Sequence, residues 1–145
     1  MDMFIGLYYH TLEAKGRLAF PAKFRRNLKK GSVITRGLDG CLFVFPKDEW
    51  EKLAQKLRQS PVTRREARAF VRLMTHQACE LGFDAQGRTR IPQYLKDFAR
   101  LAKHVVVAGT LTRVEIWDRE TYNQYISEAE KKGGEIAERL SELGI

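Results

Sequence analysis

Cysteine is scarce: Cys41 and Cys79 stand alone in 145 residues. A disulfide framework and a Cys-x-x-Cys site are excluded. No apolar run approaches the roughly 20 residues that a membrane-crossing helix needs. The opening Met1-Asp2-Met3-Phe4 lacks the basic-then-apolar layout of a secretory leader. A reduced, cytoplasmic protein with no membrane association is the expectation. Catalytic signals are missing too. There is no Gly-rich phosphate loop and no nucleophile–base pattern. His10, His76 and His104 show no ligand spacing, and His76-x-x-Cys79 supplies only two ligands. No enzyme, metal, cofactor or small-molecule substrate is expected. Proline occurs only at Pro21, Pro46, Pro61 and Pro92, and each one reads as an element boundary.

Acid is also missing where base is dense. From Ala14 to Leu38 the chain carries Lys15, Arg17, Lys23, Arg25, Arg26, Lys29, Lys30 and Arg36 and no acid. The tail from Ile126 onward reverses this, with five Glu against three basic residues. The net charge is +8 and the pI about 9.7. Such a surplus favours a polyanionic partner and says nothing about fold.

What is present is a repeat. Glu13-Ala14-Lys15-Gly16-Arg17-Leu18-Ala19-Phe20-Pro21 returns as Asp84-Ala85-Gln86-Gly87-Arg88-Thr89-Arg90-Ile91-Pro92. Arg17 maps onto Arg88 and Pro21 onto Pro92 with an offset of 71. Gly37 with Gly109, Phe45 with Trp117 and Trp50 with Tyr122 follow at 72, so one residue is inserted between Pro92 and Gly109. A hairpin unit this short buries too little alone. Two copies therefore point to a pseudo-two-fold object in which each half completes the other's sheet.

Each copy reads strand, turn, strand, helix, strand, strand. Gly6 to Thr11 is aromatic and apolar, hence a strand. Gly16 suits a bulged hairpin turn, and Leu18-Ala19-Phe20 runs back with Leu18 and Phe20 on one face. Pro21 to Lys30 is a short helix with Phe24 and Leu28 inward. Val33-Ile34 and Leu42 to Phe45 are strands joined by an Asp39-Gly40 turn. Pro46 opens a helix with a stripe of Trp50, Leu53, Ala54 and Leu57. Thr63 to Met74 is a connector helix burying Ala67, Phe70, Val71 and Met74, with Arg64, Arg68 and Arg72 on another face. The second copy places strands at Ala78 to Phe83, Val105 to Val107 and Val114 to Trp117. It places helices at Pro92 to Lys103, with Leu95, Phe98 and Ala102 inward, and from Asp118 through Tyr122 and Tyr125. Ile136, Leu140 and Leu143 recur at helical spacing beyond Lys132-Gly133-Gly134. The divisions are residues 5–53 for the first repeat, 54–76 for a helical connector, 77–125 for the second repeat and 126–145 for a helical tail. The fold class is α+β: two tandem β-β-α-β-β repeats forming one pseudo-two-fold barrel with flanking helices.

A single acid-x-x-Gly-Arg hairpin is an ordinary turn with a solvated arginine. Two copies, each closed by proline four residues after the arginine, argue for more. Paired halves bring two guanidinium groups side by side. Guanidinium forks suit phosphate oxygens and the O6/N7 edge of guanine. A two-stranded ribbon is narrow enough for the major groove of double-stranded DNA.

These residues carry a resemblance to the MraZ family, whose fold is similar to that of AbrB and MazE domains. It rests on Glu13-Ala14-Lys15-Gly16-Arg17, Asp84-Ala85-Gln86-Gly87-Arg88, the Arg64-Arg65-x-x-Arg68 segment and Glu115-Ile116-Trp117-Asp118, and it spans essentially the whole chain. It implies a double-split, swapped-hairpin barrel. It also implies a DNA-binding transcriptional regulator, usually a repressor, acting on repeated short elements at the promoter of the division and cell-wall gene cluster. Nucleoid association and a ring-like homo-oligomer larger than a dimer are implied as well. The family's functional arginine carries over to Arg17 and Arg88, and its neighbouring polar position to Lys15 and Gln86. Lys15 suits a phosphate, Gln86 a base edge such as adenine, and Arg90 faces the same way as Arg88. The first motif departs from the family by starting with Glu13 where Asp is usual. The alternatives are an antitoxin-like DNA binder whose tail captures a protein, and a structural or protein-interaction module.

Overall fold

A computed structural model describes residues 3–145. Its elements are β1 (Phe4–Thr11), β2 (Arg17–Ala19), α1 (Ala22–Leu28), β3 (Ser32–Arg36), β4 (Leu42–Pro46), α2 (Lys47–Arg58), α3 (Arg65–Thr75), β5 (Cys79–Glu80), β6 (Arg88–Arg90), α4 (Gln93–Ala99), β7 (His104–Leu111), β8 (Arg113–Asp118), α5 (Arg119–Lys131) and α6 (Gly133–Leu140), with a closing 3-10 turn at Ser141–Leu143. The architecture is α+β with two tandem copies of one plan.

Six strands form a sheet in the order β1-β7-β8-β4-β3-β5, while β2 and β6 make a separate ribbon. The pairings are antiparallel, and β1–β7, β2–β6, β3–β5 and β4–β8 each join one half of the chain to the other. The β3–β4 and β7–β8 hairpins stay within a half. Asp39 and Gly40 turn the first of them with φ of 63° and 87°, as a tight hairpin of that sequence requires.

Two facing pairs locate the symmetry. Leu18 faces Thr89 in the ribbon and Phe43 faces Glu115 in the sheet. Their separations, 71 and 72, are the offsets of the sequence repeat. Residues that face their own counterparts lie on the axis relating the copies. The inserted residue lies between Ala99 and His104. There Arg100 takes the left-handed conformation at φ 53°, whereas its counterpart Lys29 stays helical at φ −60°.

The sheet is buried on both faces, which explains the apolar runs of β4 and β7. Leu42, Val44, Val105, Val107, Val114 and Ile116 pack with Leu18, Phe24, Ile91 and Leu95 under the ribbon, α1 and α4. Phe43, Phe45, Val106, Ala108 and Trp117 alternate to the other face and meet Met74, Trp50, Leu53 and Tyr122 from α2, α3 and α5. Phe4 and Tyr8 meet Phe24 edge-on, with ring centroids 5.6 and 5.3 Å apart.

Several local expectations differ. The strand after the Gly16 turn pairs with β6 instead of running back along β1, and only the turn is local. The ladder does not close into a barrel, since three-residue strands followed by Pro21 and Pro92 pair with each other alone. The expected strand from Ala78 to Phe83 shrinks to Cys79–Glu80. α4 ends at Ala99 rather than Lys103, which leaves Ala102 exposed and gives its inward place to Ala99. α3 starts at Arg65, and Phe70 is exposed rather than buried. Among the described residues no helix is long and apolar enough to cross a membrane.

A candidate nucleic-acid interface

The ribbon is built by alternation. Leu18 and Thr89 point inward and are buried, and the Thr89 hydroxyl donates to the Gly82 carbonyl at 2.7 Å. Arg17, Ala19, Arg88 and Arg90 therefore share the opposite, open face. The register sets Arg17 opposite Arg90 and Ala19 opposite Arg88. Arg17 and Arg88 are thus diagonal neighbours, where the sequence suggested a side-by-side pair. Arg90 does share the face of Arg88. Lys15 and Gln86 are exposed at the tips of the two turns.

Both turns close identically in the backbone. Glu13 N–H donates to Arg17 O at 2.9 Å and Gly16 N–H to Glu13 O at 2.8 Å; Asp84 N–H donates to Arg88 O at 2.9 Å and Gly87 N–H to Asp84 O at 3.0 Å. Gly16 and Gly87 sit at φ of 76° and 77°, a conformation that side chains with a Cβ disfavour. Each turn also docks on the other half: Ile91 N–H donates to Gly16 O at 2.9 Å and Phe20 N–H to Gly87 O at 3.3 Å.

The side chains break the symmetry. Asp84 Oδ1 accepts from the backbone N–H groups of Gln86 and Arg88, both at 2.9 Å, and its Oδ2 accepts from Arg88 Nε at 3.0 Å. Glu13 does not cap its own turn in this way. Its longer side chain crosses to the other repeat, where Oε1 accepts from Arg88 Nη1 at 2.9 Å. One guanidinium is thus held by two carboxylates. Arg17 has no ion pair among the described residues, and its Nε is buried without a partner. The Asp84 carboxyl is held below its ordinary value, chiefly by the Arg88 N–H, with the guanidinium and the Gln86 N–H adding to it. For Arg88 partial burial is the largest influence and opposes the charge, but Asp84 and Glu13 outweigh it and raise the affinity for the proton.

Two residues escaped the sequence reading. Arg25 of α1 lies over the second turn and donates from Nη1 to Gln86 O at 3.4 Å. A Cβ added to Gly87 would overlap its guanidinium. Lys96 of α4 lies over the first turn, its Nζ 2.8 Å from where a Gly16 Cβ would stand. The signal was available: Arg25 and Lys96 are 71 apart, so the repeat keeps a cation at that place. Each half lays its cation across the other half's turn.

The class defined is a two-repeat α+β protein whose halves pair through a short ribbon with three arginines on its open face. The profile of the family described as "MraZ protein, putative antitoxin-like" matches residues 3–73 and again residues 74–142. The chain belongs to the MraZ family. It is 48% identical over 143 residues to the transcriptional regulator MraZ of Alkaliphilus metalliredigens, covering 99% of this chain and 100% of the relative. The proteins of that name from Carboxydothermus hydrogenoformans (47% over 138 residues, 95% and 96% covered) and Clostridium beijerinckii (48% over 143 residues, 99% and 100% covered) are similar to it throughout. The family is one of transcriptional regulators and not of enzymes.

Proposed function

We propose that the chain is a sequence-specific DNA-binding regulator. It represses transcription from repeated short elements at the promoter of the division and cell-wall gene cluster. It does so in the cytoplasm, on the nucleoid, as a ring-like homo-oligomer larger than a dimer. The observation that carries this reading is the β2–β6 ribbon, whose open face gathers Arg17, Arg88 and Arg90 from both repeats beside Lys15 and Gln86. Arginine forks match guanine edges and phosphates, and Gln86 matches adenine. The ribbon and the sheet are read as the two walls of a swapped-hairpin barrel, with residues 5–53 and 77–125 as its repeats, 54–76 as connector and 126–145 as tail. Exposed Phe70 and Leu73 on α3, and Ile136, Leu140 and Leu143 in the tail, offer apolar contact to further copies. Several protomers on repeated elements raise the effective concentration that a small ribbon needs.

The test is a titration of Arg17→Ala, Arg88→Ala, Lys29→Ala and Arg100→Ala against a duplex selected by the protein from a random library and against a shuffled duplex. Two salt concentrations are used, and circular dichroism checks the fold. The ribbon variants should lose the selected site, while the helix variants weaken both duplexes slightly. Wild-type affinity in the ribbon variants with losses in the helix variants overturns the reading. A monomer mass by light scattering at micromolar concentration overturns the oligomer.

A further inference from the structure

We propose that Glu13 is a specificity-determining residue that restrains Arg88 from capturing phosphates; this rests on the DNA-binding reading above. Two guanidinium nitrogens of Arg88 are engaged, Nε by Asp84 at 3.0 Å and Nη1 by Glu13 at 2.9 Å. Among the groups directly paired with Arg88, two carboxylates meet one cation, about −1 by simple count, with Arg25 the next cation, over the turn backbone at Gln86. A phosphate approaching Arg88 must displace a carboxylate or sit beside both. Phosphate contacts supply essentially all non-specific affinity. The penalty therefore falls on non-specific binding first. A guanine edge is uncharged and meets less repulsion, and a cytosine N4 amino group can donate to Glu13 itself.

The restraint is one-sided. Asp84, one methylene shorter, is spent on its own turn and does not reach Arg17. Arg17 is the unrestrained cation and Arg88 the discriminating one. An interface with near two-fold symmetry in its backbone is thereby asymmetric in charge, and Glu13 in place of the shorter acid is the cause.

The experiment compares wild type, Glu13→Gln and Glu51→Gln on the selected and shuffled duplexes across a salt series. Glu51 is exposed on α2 and controls for the change in net charge. Glu13→Gln should tighten the shuffled duplex by about threefold or more, and its salt slope should steepen by about 0.9 for each restored phosphate contact. The selected duplex should gain less, so the specificity ratio falls, while Glu51→Gln leaves the ratio unchanged. Glu13→Asp keeps the charge but shortens the reach, and should lower the ratio in the same direction by less. It also stands in should Glu13→Gln fail to fold. Equal gains on both duplexes, or an unchanged ratio in the Glu13 variants, overturn the proposal alone. A wild type that binds neither duplex overturns the DNA-binding reading and this proposal with it.

Discussion

Across the ribbon ladder Arg17 stands opposite Arg90, not opposite Arg88. The axis passes between Leu18 and Thr89, so equivalent positions end up diagonal and the direct partner of each arginine comes from a different place in the repeat. Arg88 faces Ala19, which brings no charge. Arg90 is thus the near neighbour of the unrestrained Arg17. Arg90→Ala should cost about as much operator affinity as Arg17→Ala, roughly 1–3 kcal/mol if it reads a base, or reduce the salt slope by about one if it holds a phosphate. Titration on selected and shuffled duplexes separates these, and an Arg90→Ala protein with wild-type affinity and slope removes Arg90 from the interface.

The two turn glycines should differ in their tolerance of alanine. Both sit at positive φ, which costs a residue with a Cβ about 1–2 kcal/mol. At Gly16 the new methyl meets the flexible end of Lys96, which swings away. At Gly87 it meets the body of the Arg25 guanidinium. Gly87→Ala should therefore destabilise more than Gly16→Ala in urea, and adding Arg25→Ala should remove the excess. Equal costs in the two single variants would show that Arg25 does not constrain the second turn.

Acid should loosen the second turn, whose backbone N–H groups Asp84 caps. The folded value of Asp84 is depressed, so its contribution to stability is present above the ordinary 3.8 and lost as pH falls through the lower folded value. Carboxyl titration by NMR should place Asp84 below a reference aspartate. Arg88→Ala should raise it only part of the way, because the largest cause is the backbone N–H of residue 88, which alanine keeps. Full return to the reference value would reassign the shift to the guanidinium.

The backbone plan of these turns was legible because it is local. Gly three residues after an acid, then Arg, specifies the same closure wherever the next strand goes. For that reason the turn sequence alone does not say whether β2 pairs with β1 or β6; the repeat implied that the halves share sheets, but not which strands pair. Alternation placed Leu18 inward and Arg17 outward correctly. Helical spacing carried α4 through Leu95 and Phe98 to Ala102, since periodicity does not register a left-handed Arg100. It likewise assigned Phe70 to the core, although α3 covers the sheet with only part of its width. The reach of Glu13 to Arg88 spans 75 residues of chain. It depends on one methylene, and no spacing rule encodes it.

Neither half should fold by itself as a monomer. Residues 1–76 keep the β3–β4 hairpin but lose β7 from β1, β6 from β2, β5 from β3 and β8 from β4. Phe4, Leu18, Leu42 and Val44, buried in the intact chain, would be uncovered. A core of that size, halved, falls below what a chain of this length sustains. The pseudo-symmetry offers one escape: a second copy of the same half can stand in for the missing one, with β2 on β2 and β4 on β4 about a true two-fold. The fragment 1–76 should be unfolded when dilute and gain structure with a concentration-dependent midpoint. Mixing it with 77–145 should restore near-ultraviolet dichroism, because Trp117 and Phe43 regain their shared face. Circular dichroism over a dilution series and sedimentation provide the readout. A stable, monomeric 1–60 fragment released by limited proteolysis would show two independent domains and contradict the exchange of strands.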